Sequence, residues 1–245
     1  AHERAKKLLM KGVRLGHLKG YTKAQGVRIF GLTQSGANHL IGLGHKAKAT
    51  YKQAYDAKHV YHRLCADAFS IALSHAHMKA SSDAGLKASS WFERDCLRRS
   101  ATFKMHFNKV PDSAFFIEKS LCWIEVDTAR KKASDMLRLI KFIKHGMCLD
   151  ESHLAVIDIG SPEVLLWVCA PAAVRDAASK IQQYLPIKNE FKKLSEGVWK
   201  VTIDSGSIER DVVLCSFDFS SVADLHTRIF KFYSAALNSC CPVQL

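Results

Sequence analysis

The stretch Glu163-Val164-Leu165-Leu166-Trp167-Val168-Cys169-Ala170-Pro171 decides how the chain folds. Its apolar run continues to Val174 and stops at Arg175. That run of 11 residues is well short of the roughly 20 a membrane-spanning helix needs. Branched and aromatic residues at 164–169 predict a strand, and Pro171 suits the first turn of a helix running to about Leu185. On the N-terminal side, His153–Ile159 reads as a strand joined to 164–169 through Gly160-Ser161-Pro162-Glu163, a hairpin signal. Before that, Phe115-Phe116-Ile117 and Leu121–Val126 are strand-like. Asp127 is a good N-cap for a helix to His145, ended by Gly146. Met136, Leu139, Ile140 and Ile143 share its apolar face; Arg130, Arg138, Lys141 and Lys144 gather opposite. On the C-terminal side, Val198–Asp204 and Ile208–Phe217 form a hairpin across Ser205-Gly206-Ser207, and Ser221 caps a last helix through Leu237.

From 121 to 204 the order is therefore β-α-β-β-α-β, the ferredoxin-like arrangement of an antiparallel sheet with two helices on one face. The expected class is α+β, with that sheet extended by one strand and a C-terminal helix. A rival parse is two β-β-α repeats over 153–185 and 198–238. In topology alone, 121–204 also resembles an RNA-recognition-motif domain. The matching strand, Glu163 to Val168, lacks the Gly and the Phe/Tyr pair of that family, so the resemblance assigns no binding residue.

Upstream, residues 46–79 hold no Gly or Pro and predict a long helix with Tyr51, Tyr55, Cys65, Phe69 and Leu73 on one face. Ser81-Ser82-Asp83-Ala84-Gly85 ends it, and a second helix is expected over 88–104. The expected domains are a basic, Gly-containing arm at 1–45, a helical hairpin at 46–110 and a sheet domain at 111–245.

Charge is the strongest functional signal. The 245 residues carry 36 Lys+Arg against 23 Asp+Glu, a net of +13. Residues 1–55 hold 11 of those cations against Glu3 alone, and 8 of the 13 glycines. A basic, Gly-punctuated arm on a nearly neutral body is the asymmetry of a nucleic-acid-binding tail. The candidate phosphate contacts are Lys6, Lys7, Lys11, Arg14, Lys19, Lys23, Arg28, Lys46, Lys48 and Lys52, with Arg63, Arg94, Arg98 and Arg99 in second rank. Tyr21, Phe30, Tyr51 and Tyr55 lie among them as possible stacking platforms.

Other chemistry is weakly signalled. Gly31-Leu32-Thr33-Gln34-Ser35-Gly36 has the first spacing of a phosphate loop but not its Lys-Ser/Thr. Gly42-Leu43-Gly44-His45-Lys46 offers backbone N–H groups and a helix start to a phosphate. His59, His62 and Cys65 show no zinc spacing, and no metal or cofactor is expected. His153 and Asp158 are the pair an enzyme site would use, but no catalytic signature surrounds them. Eight cysteines, mostly inside apolar runs and without a C-x-x-C pair, read as small buried hydrophobes of an intracellular reducing compartment. No apolar block follows Lys6 and Lys7, so no secretory signal is read, and the start at Ala1 is that of a processed or trimmed form.

The expectation is a non-enzymatic, RNA-binding structural subunit of a large ribonucleoprotein, an organellar (mitochondrial) ribosome, gripping rRNA phosphates through the arm. Its partners are rRNA and neighbouring proteins, with no small-molecule substrate. The alternatives are an RNA-processing or RNA-modifying enzyme and a protein–protein scaffold subunit of another organellar complex.

Overall fold

The structure is a computed structural model describing residues 2–22, 28–50, 62, 65–72, 88–91, 96, 99–117, 120–128, 132–147, 161–206, 208–219, 227–229 and 231–232. It mixes helix and sheet and divides into two compact units, 1–61 and 62–245.

The first unit holds helix α1 (His2–Arg14), strands β1 (Leu18–Thr22) and β2 (Arg28–Leu32), and helix α2 (Gln34–Gly42). The two strands form an antiparallel hairpin. Most of the expected arm is therefore regular secondary structure.

In the second unit, a helical segment at 65–72 comes first, then β3 (Ala88–Trp91) and α3 (Ser100–Phe107). There follow β4 (Ser113–Ile117), β5 (Ser120–Asp127) and α4 (Ala133–Lys141). Helix α4 runs into a single π-turn, Phe142–Gly146. Next come β6 (Ser161–Cys169), α5 (Pro171–Tyr184), β7 (Lys192–Ser195), β8 (Val198–Asp204) and β9 (Glu209–Ser216). All the strands from β3 onward join one sheet, ordered β3-β4-β5-β6-β9-β8-β7.

Strand β6 lies parallel to β5 on one side and parallel to β9 on the other; the outer pairings are antiparallel. This replaces the expected antiparallel ferredoxin-like sheet. The physical reason is occupancy. Residues 164–169 pair with 122–127 on one edge and 211–216 on the other, so no edge is left for a hairpin partner from 153–159. Residues 153–159 themselves lie outside the described residues.

Side chains alternate between the two faces of these strands. Trp123, Leu165, Trp167, Val212 and Leu214 join one core with Phe103 and Phe107 of α3, Met136, Leu139 and Ile140 of α4, and Ala173, Ala177 and Ile181 of α5. The alternate residues, Cys122, Ile124, Val126, Leu166, Val168, Val213 and Cys215, are buried too. On that side the hydroxyl of Ser70 donates to the Ala114 carbonyl, that of Ser113 donates to the Ala66 carbonyl, and Phe69 meets Phe217 edge to face. Strands covered on both faces read as continuous apolar runs, as these do.

Other expectations shift for local reasons. Of the helix expected over 88–104, residues 88–91 are strand, Cys96 and 100–104 are helical, and 92–95 and 97–98 lie outside the described residues. Of the long helix expected over 46–79, His62 and 65–72 are helical, 46–50 are not, and the rest lie outside the described residues. Asp127 stays in β5 instead of capping a helix. Its carboxylate accepts the Trp167 indole N–H (2.7 Å), and its carbonyl accepts the Ala170 N–H. Helix α4 therefore starts only at Ala133. The β8–β9 hairpin forms as expected, with Asp204 accepting from Gly206 N–H in the turn. Of the last helix, 227–229 and 231–232 are described and helical. The five described cysteines, 65, 96, 122, 169 and 215, are buried free thiols.

Two polar ties cross this interior. Trp123 indole N–H donates to one oxygen of buried Glu125, and Lys109 pairs with the other at 2.8 Å. Asp112 accepts from Val126 N–H and faces His62, whose ring also meets the Val126 carbonyl. Burial raises the Asp112 carboxyl pKa, but the hydrogen bond and charge of His62, then Lys109 and the Val126 N–H, outweigh it. The net value lies below the ordinary 3.8.

Trp123 meets Phe142 at 4.0 Å in a tilted arrangement and takes Phe103 and Phe107 edge-on. Trp123→Ala should cost about 3–5 kcal/mol in denaturant unfolding. Asp112→Ala should cost about 1–3 kcal/mol at neutral pH by removing a partner of buried groups. Because the folded value is depressed, this stabilisation is full above the unfolded value and lost as pH falls through the folded one. The gap between wild type and variant should therefore close in acid below pH 3.8; a gap constant with pH would contradict the pairing.

Candidate nucleic-acid interface

The first unit is built around two Leu-Gly-His sequences, Leu15-Gly16-His17 and Leu43-Gly44-His45. Each ends a helix. Gly16 and Gly44 have positive φ (69° and 85°), which glycine adopts without strain. The amides of the flanking glycine and histidine turn back onto the last helical carbonyls: Gly16 to Val13, His17 to Gly12, Gly44 to Ile41 and His45 to Leu40. This is the Schellman closure. The stretch Gly42–Lys46 was expected to start a helix and present N–H groups to phosphate. It ends α2 instead, and the amides of Leu43, Gly44 and His45 are spent on helix carbonyls.

Between the two closures lies one hydrogen-bonded node. Thr33 caps α2: its hydroxyl accepts from Gly36 N–H at 3.0 Å and donates to the Gly16 and His17 carbonyls. Its own N–H donates to the His17 carbonyl. Rings of His17 and His39 stack at 4.5 Å. A Cβ on Gly36 would stand 2.2 Å from the His17 carbonyl oxygen, so glycine is required by close approach. The phosphate-loop-like spacing at 31–36 is thus a strand end, a cap and a first helical turn. Thr50 holds the segment after α2 to the hairpin, exchanging both backbone partners with Leu32 through its hydroxyl and N–H.

This scaffold displays cations. On α1, steps of three, four and three residues put Arg4, Lys7, Lys11 and Arg14 on one side, over about 15 Å of helix axis. All four are exposed. Arg4 was not among the expected contacts; the helical spacing of the four is the signal that locates it. Lys6 lies off this stripe and pairs with Glu3 at 3.9 Å. Lys19 is exposed on β1, its ammonium 5.7 Å from the Tyr21 ring centroid. Arg28 starts β2 opposite Thr22. Lys46 and Lys48 are exposed in the segment that Thr50 pins. Glu3 is the sole acid of residues 1–50, so neutralisation from within this segment is small.

Arg99, the described member of the second-rank cluster, precedes α3 in the other unit and is exposed. Lys23, Lys52, Arg63, Arg94 and Arg98 lie outside the described residues, as do Tyr51, Tyr55, His59, His153 and Asp158. Among the described residues no group of three or more His, Cys, Asp and Glu is placed to hold a metal ion, and no helix is long and apolar enough to cross a membrane. Tyr21 and Phe30 are half-buried, and Phe30 covers Gly20 across the hairpin.

Leu8, Leu9, Leu15, Ile41 and Leu43 of this unit are exposed, Leu8 at 62%. Compared with known protein families, curated proteins and solved structures, the chain matches none.

Gly36→Ala should destabilise the first unit by about 1–3 kcal/mol through overpacking against the His17 carbonyl. Hydrogen exchange at the Thr33 and Ala37 amides reads it. Gly42→Ala, where a Cβ meets open space, should leave exchange unchanged or slower.

Proposed function

We propose that the chain is a structural RNA-binding subunit of a large ribonucleoprotein of the mitochondrial-ribosome class, holding rRNA through backbone phosphates. The observation that carries this reading is the segregated charge. Residues 1–61 hold 12 Lys/Arg against Glu3 and Asp56, a net of +10, while 62–245 hold 24 against 21, a net of +3. A compact module with an exposed row of four cations suits a partner of dense, regularly spaced negative charge. Lys and Arg on phosphate release condensed counterions, which supplies affinity without reading bases. The glycines act here by closing helices and packing backbones, so the cations are displayed by a folded scaffold. Exposed leucines beside the cationic row suit a subunit whose surface is completed by ribose, bases or neighbouring proteins of an assembly.

Changing Arg4, Lys7, Lys11 and Arg14 together to Gln tests the reading on the full chain. Each lost phosphate contact should reduce the slope of log affinity against log salt by roughly 0.7–0.9, and the four by about 3. Filter binding of a structured RNA between low and moderate salt measures it. A slope equal to that of the wild type would remove α1 from the interface.

A further inference from the structure

We infer that the outward face of α4 and its π-turn is a second phosphate-binding ridge, carried by the sheet unit and separate from the basic unit at 1–61. The inference rests on the RNA-binding reading above and adds a contact surface to it. Residues 132–145 hold Lys132, Arg138, Lys141 and Lys144 against Asp135, a net of +3. That equals the net charge of all 62–245. This stretch is one of the cation-rich segments of the unit.

Elsewhere in the unit, Lys109, Lys188, Lys193, Lys200 and Arg228 close ion pairs with its own acids, while Lys104, Arg175, Lys192 and Lys231 are exposed. On α4 only Arg138 does so among the described residues, loosely, at 3.8 Å from Asp135 with both side chains well exposed. Lys132, Lys141, Lys144 and His145 are exposed, and Leu137 lies among them at 44% exposure.

The backbone gives an independent indication. A π-turn is a rare interruption of an α-helix, concentrated at functional sites. Here Met147 N–H closes it onto the Phe142 carbonyl. The turn buries Phe142, Ile143 and Gly146 and leaves the consecutive Lys144 and His145 outside. It is anchored by Phe142 on Trp123, and a Cβ on Gly146 would stand 2.6 Å from the Phe142 ring. Two adjacent donors thus sit one turn beyond Lys141 on a helix fixed by the core. A rigid row of cations with an apolar side chain between them suits an RNA backbone, where phosphates take the charges and ribose covers Leu137. Protein ligands would need carboxylates at matching spacing.

The test uses the full chain and one RNA stem-loop, with an oligouridine of equal length as single-stranded probe. Four proteins are compared: wild type, R138Q/K141Q/K144Q, K141R/K144R, and the four-residue α1 variant described above. The α4 variant should lower the salt slope for the stem-loop by about 2 and weaken binding several-fold at low salt. K141R/K144R should retain the wild-type slope, and unchanged thermal melting should show that the substituted face is not structural. If the α4 variant binds as wild type while the α1 variant loses slope, the ridge is idle and the RNA-binding reading survives. If wild type binds neither RNA, or neither variant changes the slope, that reading fails and the ridge fails with it.

Discussion

Between Val164 and Cys169, strand β6 is enclosed on every side. Both edges are paired in parallel and both faces are buried. Parallel neighbours cannot be joined by tight turns, so the chain must cross over between them. Helix α4 lies between β5 and β6 in sequence, and α5 with the β7–β8 pair lies between β6 and β9. Crossover helices have one face on the sheet and one away from it. The inner face of α4 is Met136, Leu139, Ile140, Phe142 and Ile143; its outer face is where the cations stand. The demand that β6 be buried therefore creates the helix surface to which the second phosphate ridge is assigned.

The first unit is held differently. Among its described residues few side chains are fully buried, and their geometry comes from backbone closures: two glycine-terminated helices, a threonine cap, and Gly36 pressed against the His17 carbonyl. Small units bury a small share of their apolar surface, which fits the exposed leucines of α1 and α2. Their charge is instead uncompensated, so a polyanion would add both electrostatic stabilisation and cover. Fold and proposed function meet in the charge of the two units: the well-packed sheet unit is weakly basic and the other strongly cationic.

Much of the secondary structure was legible. The strand at 164–169, the helix from Pro171, the β8–β9 hairpin and the buried face of α4 follow directly from apolar patterning and turn residues. Sheet order was less so. Leu121–Val126, Val164–Cys169 and Val212–Cys215 lack strict alternation, the mark of strands covered on both sides. The turn-like Gly160-Ser161-Pro162-Glu163 nevertheless favoured a local hairpin over a distant parallel partner. Asp127 looked like a helix cap because a carboxylate before a helical stretch ordinarily is one; its actual partner, Trp167, is 40 residues away. The basic residues of α1 were visible singly and a helix over 2–11 was legible, while the full row from Arg4 to Arg14 emerges only with the helix continued to Arg14. The paired Leu-Gly-His closures were legible in retrospect, since a glycine after a helical stretch is a strong stop signal.

Sedimentation of the native chain from gently lysed cells, with and without ribonuclease, tests the central claim most directly. A subunit held by RNA phosphates should travel with a large particle and be released or shifted to lighter fractions when the RNA is digested. A chain that sediments alone at its own 27.4 kDa, or whose large particle is indifferent to ribonuclease, would contradict it.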